Sequence, residues 1–310
     1  MYSGQGSQYF QMGRSLYENN TVFKDSMIKA DHLFQEMAGF SIIEQLYNDK
    51  TTKSEPFSSA ISSPAIFMVE YALTQALKEK NIVPSLVLGT SIGEFAAAVT
   101  AGILSFETSL LSLSKQVEVW EKYYNSTGGM LAILHDPSLY QSAWLKDHCE
   151  LAAINFPSNF VVSGTNENLL EITKKLQEEN IIFQMLPVSQ AYHSSLMDPA
   201  KEAWLQTVKT MTINEPIIPF FSCEQSSLMT SIPYTHFWEA IRNPILFRES
   251  ISILEKEQPA IYIDIGSSGT LATFVKYNLS SISSSRYFQI MTPYGDDINS
   301  FNQLVAYLQK

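Results

Sequence analysis

With 310 residues, 45% of them hydrophobic and 16% charged, the chain has an ordinary globular composition and enough length for one large domain or two modest ones. Its net charge of −11 argues against nucleic acid or an anionic membrane surface as the main partner. No apolar run reaches membrane-span length, no basic-then-apolar leader opens the chain, and Cys149 and Cys223 lack the spacing of a zinc site or disulfide framework, so a cytoplasmic protein without a metal is expected.

In chain order, "SGQGSQ" (3–8) reads as a glycine-containing loop. Its amides could donate to an oxyanion; it lacks the lysine and spacing of a phosphate-binding loop. Residues 62–80 show helical periodicity and end on a basic turn. "SLVLG" (85–89) reads as a short buried strand and 94–104 as a helix of small apolar residues. Leu110, Leu113, Val117 and Trp120 recur at helical spacing across 106–124. This alternation predicts an α/β fold with a mainly parallel sheet. Residues 129–190 read as strand, helix, strand, strand, helix, strand, with "FPSN" (156–159) as the hairpin turn. That is a ferredoxin-like βαββαβ unit, placed at 126–190 and inserted into a larger body formed by 1–125 and 191–310. After a loop at 190–200 come a helix, "IIPFFS", a helix across 235–257, a strand with its turn at 260–270, the surface loop "SSISSSR" (280–286), a strand and a last helix.

The chemistry concentrates at Gly89-Thr90-Ser91-Ile92-Gly93. In G-x-S-x-G the serine sits on a sharp strand-to-helix turn, with its hydroxyl clear of the sheet and beside the positive helix end. An apolar strand before it and a helix after it supply the required context; an ordinary glycine-lined turn is the alternative. A nucleophilic serine needs a base, and the chain has five histidines. His32 and His148 lie among charged residues on helices, His135 lies in a turn beside Asp136, and His236 reads as a packed or capping histidine in "YTHFW". His193 follows a strand end, in a loop, and is the candidate base.

Six stretches in register, "GQGSQ", "GTSIGE", "INFPSNFVVSG", "AYHSSLM", "FWEAIRNPILF" and "YIDIGSSGTLATFV", give the chain a resemblance to the malonyl-CoA:acyl-carrier-protein transacylases and polyketide synthase acyltransferase domains. The resemblance covers nearly the whole sequence. It implies an α/β-hydrolase-like large domain carrying the ferredoxin-like insertion. It also implies Ser91 as nucleophile, His193 as base, and the backbone N–H groups of Gln5 and Ile92 as the oxyanion hole. The histidine would be oriented by a backbone carbonyl between "WEAIRNP" and "YIDIG", so no triad carboxylate is needed. The family carries a few apolar residues before "GQGSQ", so trimming ahead of Met1 is expected.

The departures are informative. Malonyl-specific members carry an arginine in the helix after the elbow, and none of Arg14, Arg242, Arg248 and Arg286 lies there. Lys115 and Gln116 are the candidates for its position. The family's apolar flanks, matched by Leu113, Val119 and Trp120, select Gln116. A charge-assisted hydrogen bond contributes about 1.5–3 kcal/mol, so malonyl preference should fall roughly ten- to a hundredfold. Thr90 replaces the usual histidine before the nucleophile, and Ser63 replaces a frequent glutamine. With Tyr192 and Gln116 they form the expected acyl pocket. Stand-alone members with this glutamine resemble acyl hydrolases of trans-acyltransferase polyketide pathways. The expected substrate is an acyl group on the phosphopantetheine of an acyl carrier protein, or on CoA, with no bound cofactor, and the protein is expected as a monomer. A carrier that is itself acidic would be repelled at long range, so docking would need a local basic patch. An acyl-CoA or malonyl-CoA transferase is the alternative activity, and a non-catalytic docking protein is a third reading.

Overall fold

The computed structural model describes residues 1–47, 58–124 and 126–310. Asn125, the last residue assigned to the first body segment, lies outside them. Among these residues the strands are β1 (Val87–Gly89), β2 (Gly128–Leu134), β3 (Glu150–Phe156), β4 (Asn159–Thr165), β5 (Ile182–Met185), β6 (Phe220–Ser222), β7 (Ser227–Met229), β8 (Ile261–Asp264) and β9 (Arg286–Gln289).

The apolar run before the elbow forms β1, buried at every position as a strand covered on both faces must be. It pairs in parallel with β6, and β7 returns antiparallel on β6. On its other side lies the extended pair Met1–Tyr2. The Tyr2 N–H donates to Leu88 O, the Thr90 N–H to Tyr2 O, and the Ile265 N–H to Met1 O. These bonds join the parallel pair β8–β9 to β1 through the first two residues. The loop that begins at Ser3 is thereby delivered to the carboxyl end of β1, beside the elbow.

The second sheet has the order β3-β4-β2-β5 and is antiparallel throughout. The turn between β3 and β4 is Pro157–Ser158, with Phe156 paired to Asn159. The helix Asn166–Glu178 is capped by Thr165, whose Oγ1 accepts from the Asn168 N–H at 3.2 Å. Leu169, Ile172 and Leu176 on its inner face pack on Leu131, Ile133, Phe160 and Val162. The expected helix between β2 and β3 is instead two short pieces, a 3-10 turn Pro137–Gln141 and a helix Ala143–Lys146. Ser142 between them is extended, and its hydroxyl donates back to the Leu139 carbonyl, a local bond that competes with helix continuation.

Two further expectations change. The helix after the elbow is Gly93–Thr100, ending four residues early where the chain turns at Gly102. The helix expected across 235–257 is two, His236–Arg242 and Phe247–Glu257. Pro244 has no N–H to continue the ladder and forces the residue before it out of the helical region; Asn243 is extended, with ψ 160. The helices Ser59–Glu79 and Phe106–Tyr123 form as expected. The first of them packs against Thr21–Ala38, a helix capped by the Asn20 side chain.

Candidate active site

Strand β1 ends at Gly89, and two residues later Ser91 takes φ +54, a left-handed conformation uncommon for a side-chain-bearing residue. The elbow is as tight as the motif requires. A Cβ at Gly93 would come within 2.3 Å of the Tyr2 carbonyl oxygen and 2.5 Å of the Ser3 carbonyl oxygen. Backbone this close leaves no room for any other residue.

His193 comes to this serine from a loop beyond β5. It too is left-handed, with φ +59, and its N–H donates to Ile241 O at 3.0 Å. Its Nε2 lies 3.1 Å from Ser91 Oγ, and its Nδ1 lies 2.7 Å from Asn243 O. A carbonyl only accepts, so Nδ1 carries the proton and the Nε2 lone pair faces the serine hydroxyl. Burial holds the imidazole down to about 4, and the nearby Arg242 charge pushes in the same direction. The ring is therefore neutral at pH 7. The orienting carbonyl belongs to Asn243, inside "WEAIRNP", and not to the stretch after that motif. The break before Pro244 turns this carbonyl out of the helix toward His193.

The 3–8 loop crosses the nucleophile so closely that a Cβ at Gly4 would lie 2.9 Å from both Ser91 Cβ and Thr90 O. Glu70, buried on the helix Ser59–Glu79, anchors the loop: its Oε1 accepts from the Ser3 N–H at 2.6 Å and the Ser3 hydroxyl at 2.9 Å. The next N–H groups at hand are those of Gln5 and Ile92, and neither donates to another group among the described residues.

The Gln5 side chain engages one of the expected pocket residues, its Nε2 donating to Ser63 Oγ at 2.6 Å, while the Tyr192 hydroxyl donates to Gln190 Oε1 at 3.1 Å. Thr90 is buried, with its hydroxyl on Tyr2 O at 3.4 Å. Gln116 lies on the inner face of Phe106–Tyr123, only 1% exposed, and its Nε2 has no hydrogen-bond partner. One turn on, Trp120 packs against Trp204 and Trp238. Lys115 points outward and pairs with Glu118 at 3.2 Å. No hydrogen bond among the described residues joins Gln116 to the Gln5 cluster. Arg242 is taken up by Asp198 and Glu150, while Arg248 and Arg286 are exposed.

His32 and His135 are exposed, and half-exposed His148 faces Glu171 at 3.8 Å, off any helix. His236, expected as a packed histidine, is fully buried, with Nε2 2.5 Å from Glu94 Oε2. Sequence reasoning missed that partner and also Glu224, which accepts from Asn243 Nδ2 at 2.7 Å. The available signal was Glu94 itself, an acid in an otherwise apolar buried helix. Glu224, His236 and Glu239 bring one metal-ligand-type atom each within 4.8 Å of one another.

Residues 1–309 match the acyl transferase domain family. The chain is 40% identical over 306 residues to the polyketide biosynthesis acyltransferase homolog BaeD of Bacillus velezensis, covering 98% of this chain and 94% of that protein. It is also 40% identical over 309 residues to the homolog PksD of Bacillus subtilis, covering 97% and 94%. Among solved structures, the acyltransferase domain from the second module of the salinomycin polyketide synthase superposes with a TM-score of 0.86 at 25% identity, over 97% of this chain and 70% of that one. The MCAT of Streptococcus pneumoniae shares the fold, with a TM-score of 0.81 at 23% identity, over 99% and 98%. The architecture is thus an α/β-hydrolase-like large domain with a ferredoxin-like small domain, and the chain belongs to the acyl transferase domain family.

Proposed function

We propose that this protein is an acyl hydrolase that clears acyl groups from the phosphopantetheine arms of acyl carrier proteins in polyketide biosynthesis. Ser91 Oγ attacks the thioester carbonyl and passes its proton to His193 Nε2. The amides of Gln5 and Ile92 donate to the oxyanion, and the Asn243 carbonyl supports the imidazolium from the other side of the ring. Collapse breaks the C–S bond, and the imidazolium protonates the departing thiolate. Water then attacks the Ser91 ester, giving its proton to His193. The second collapse releases the acid and returns the proton to Ser91.

The observation that carries hydrolysis is Gln116, a buried side-chain amide with an unpaired Nε2 where a fixed cation would hold a malonyl carboxylate. An uncharged donor suits a neutral acyl group and leaves a dicarboxylate half-ester without its counter-charge. The names of the two Bacillus relatives support the polyketide setting. The same reading takes 126–190 as the inserted unit, acyl carrier protein domains as partners of a cytoplasmic monomer, and a mechanism that needs no metal or cofactor; β2 to β5 all fall between residues 128 and 185.

The test is to offer acetyl-carrier protein and malonyl-CoA separately. Rapid release of acetate is expected. Efficient malonyl loading onto a carrier would make the protein a transferase, the activity its relatives are named for. Ser91→Ala and His193→Ala should each abolish turnover; undiminished activity in either would remove the mechanism. Gln116→Arg should raise malonyl-enzyme formation by about tenfold, and no gain would show that the pocket is selected elsewhere.

A further inference from the structure

Asn243, whose carbonyl holds His193, is itself held. Its Nδ2 donates to Glu224 Oε1 at 2.7 Å, and Glu224 Oε2 is buried without a hydrogen-bond partner. Facing it is His236, fully buried, with Nε2 on Glu94 Oε2 at 2.5 Å and Nδ1 without a partner. Glu94 stands three residues after Ser91 on the elbow helix. Its Oε1 accepts from Ser222 Oγ at 3.2 Å, and Ser222 Oγ accepts from the Glu224 N–H at 3.2 Å. Hydrogen bonds therefore run from Ser91 through His193 and Asn243 to Glu224; His236, within 4.8 Å of Glu224, is bonded to Glu94 on the helix Gly93–Thr100 that follows Ser91.

The charges fit this arrangement. Burial alone would depress the His236 imidazole, yet the carboxylates of Glu94, Glu224 and Glu239 around it raise it above its usual range. The remaining charged groups nearby are paired elsewhere: Arg242 lies on Asp198 and Glu150. When protonated, His236 offers one N–H to Glu94 and turns the other toward Glu224 and Glu239. Without that imidazole Glu224 would face Glu239 unshielded, and the tether on Asn243 would loosen.

We propose that Glu224 and His236 are positioning residues for His193, locking the Asn243 carbonyl on its Nδ1. This rests on His193 being the base. Neither residue touches the substrate; both act through the loop that follows the helix His236–Arg242.

Asn243→Ala tests the idea most cleanly, because it keeps the backbone carbonyl and deletes only the tether at a half-buried position. A fall in kcat of about ten- to a hundredfold is expected, the scale of a misplaced catalytic group, with KM little changed. Glu224→Gln keeps an acceptor for Asn243 and should retain more activity than Glu224→Ala. The downfield proton resonance of His193 Nδ1–H should move in Asn243→Ala and Glu224→Ala, which a merely structural role would not produce. Melting temperatures identify any variant that fails to fold, in which case Asn243→Ala carries the test. Wild-type kcat and an unmoved resonance in a folded Asn243→Ala would overturn the proposal. If His193→Ala retained activity, the base assignment would fall instead; if His193→Ala were dead and Asn243→Ala normal, only the positioning role would fall.

Discussion

His193 shows how one buried contact sets both the tautomer and the working range of a base. With Nδ1–H committed to the Asn243 carbonyl, only the Nε2 lone pair can meet Ser91. Because burial holds the ring down to about 4, protonation disables it only as the pH falls through that value. The acid limb of kcat/KM is therefore expected near pH 4, with a plateau through neutrality. A limb near 6.5, the ordinary histidine value, would show a solvated imidazole and contradict the geometry. Gly93 is a second residue-scale constraint. Gly93→Ala sets a methyl against two backbone carbonyls and should cost about 1–3 kcal/mol, the usual range for overpacking, read as a lowered denaturation midpoint. A fully stable variant would mean that the elbow and the first residues can separate.

At the scale of elements, the site is an agreement among four segments: the elbow, the 3–8 loop, the loop bearing His193 and the interrupted helix at 236–257. Glu70 ties the second of these to the helix Ser59–Glu79 through Ser3. Glu70→Ala should free that loop and displace the Gln5 amide, lowering kcat by about a hundredfold, the effect of losing one oxyanion donor. Activity within twofold of wild type would mean that Gln5 makes no such contribution. Apolar patterning made Ser59–Glu79, Phe106–Tyr123 and the strand order of the small domain legible in the sequence: Phe106–Tyr123 hides one apolar face, while Ser59–Glu79 is buried at every position from 62 to 70. The elbow was legible from its glycines and flanks, and His193 from its place after a strand. The split at Asn243 was not, because Phe237, Trp238, Ile241, Phe247 and Ile251 sustain an apolar face across Pro244 and mask the break. The misplaced orienting carbonyl follows from that one error. The pairing of Glu94 with His236 spans 142 residues, and no local pattern encodes it.

For the whole molecule, charge is the dominant fact. At −11 the surface repels an acidic carrier protein before any contact forms. Raising ionic strength from 0.01 M to 0.15 M shortens the screening length from about 30 to about 8 Å. On the proposed function, kcat/KM with an acidic acyl carrier protein should rise over that range while a small acyl thioester shows no such change. A fall with salt would reveal a basic docking patch strong enough to outweigh the net charge.

The left-handed backbone shared by Ser91 and His193 has a thermodynamic corollary. Each side chain that performs the proposed chemistry sits in a conformation costing on the order of 1 kcal/mol relative to glycine. Selection for stability alone would therefore favour glycine at Ser91, whereas the buried, hydrogen-bonded ring of His193 would be kept. Ser91→Gly should melt higher than the parent protein while turning over nothing, and the most durable version of this fold would be an inert one.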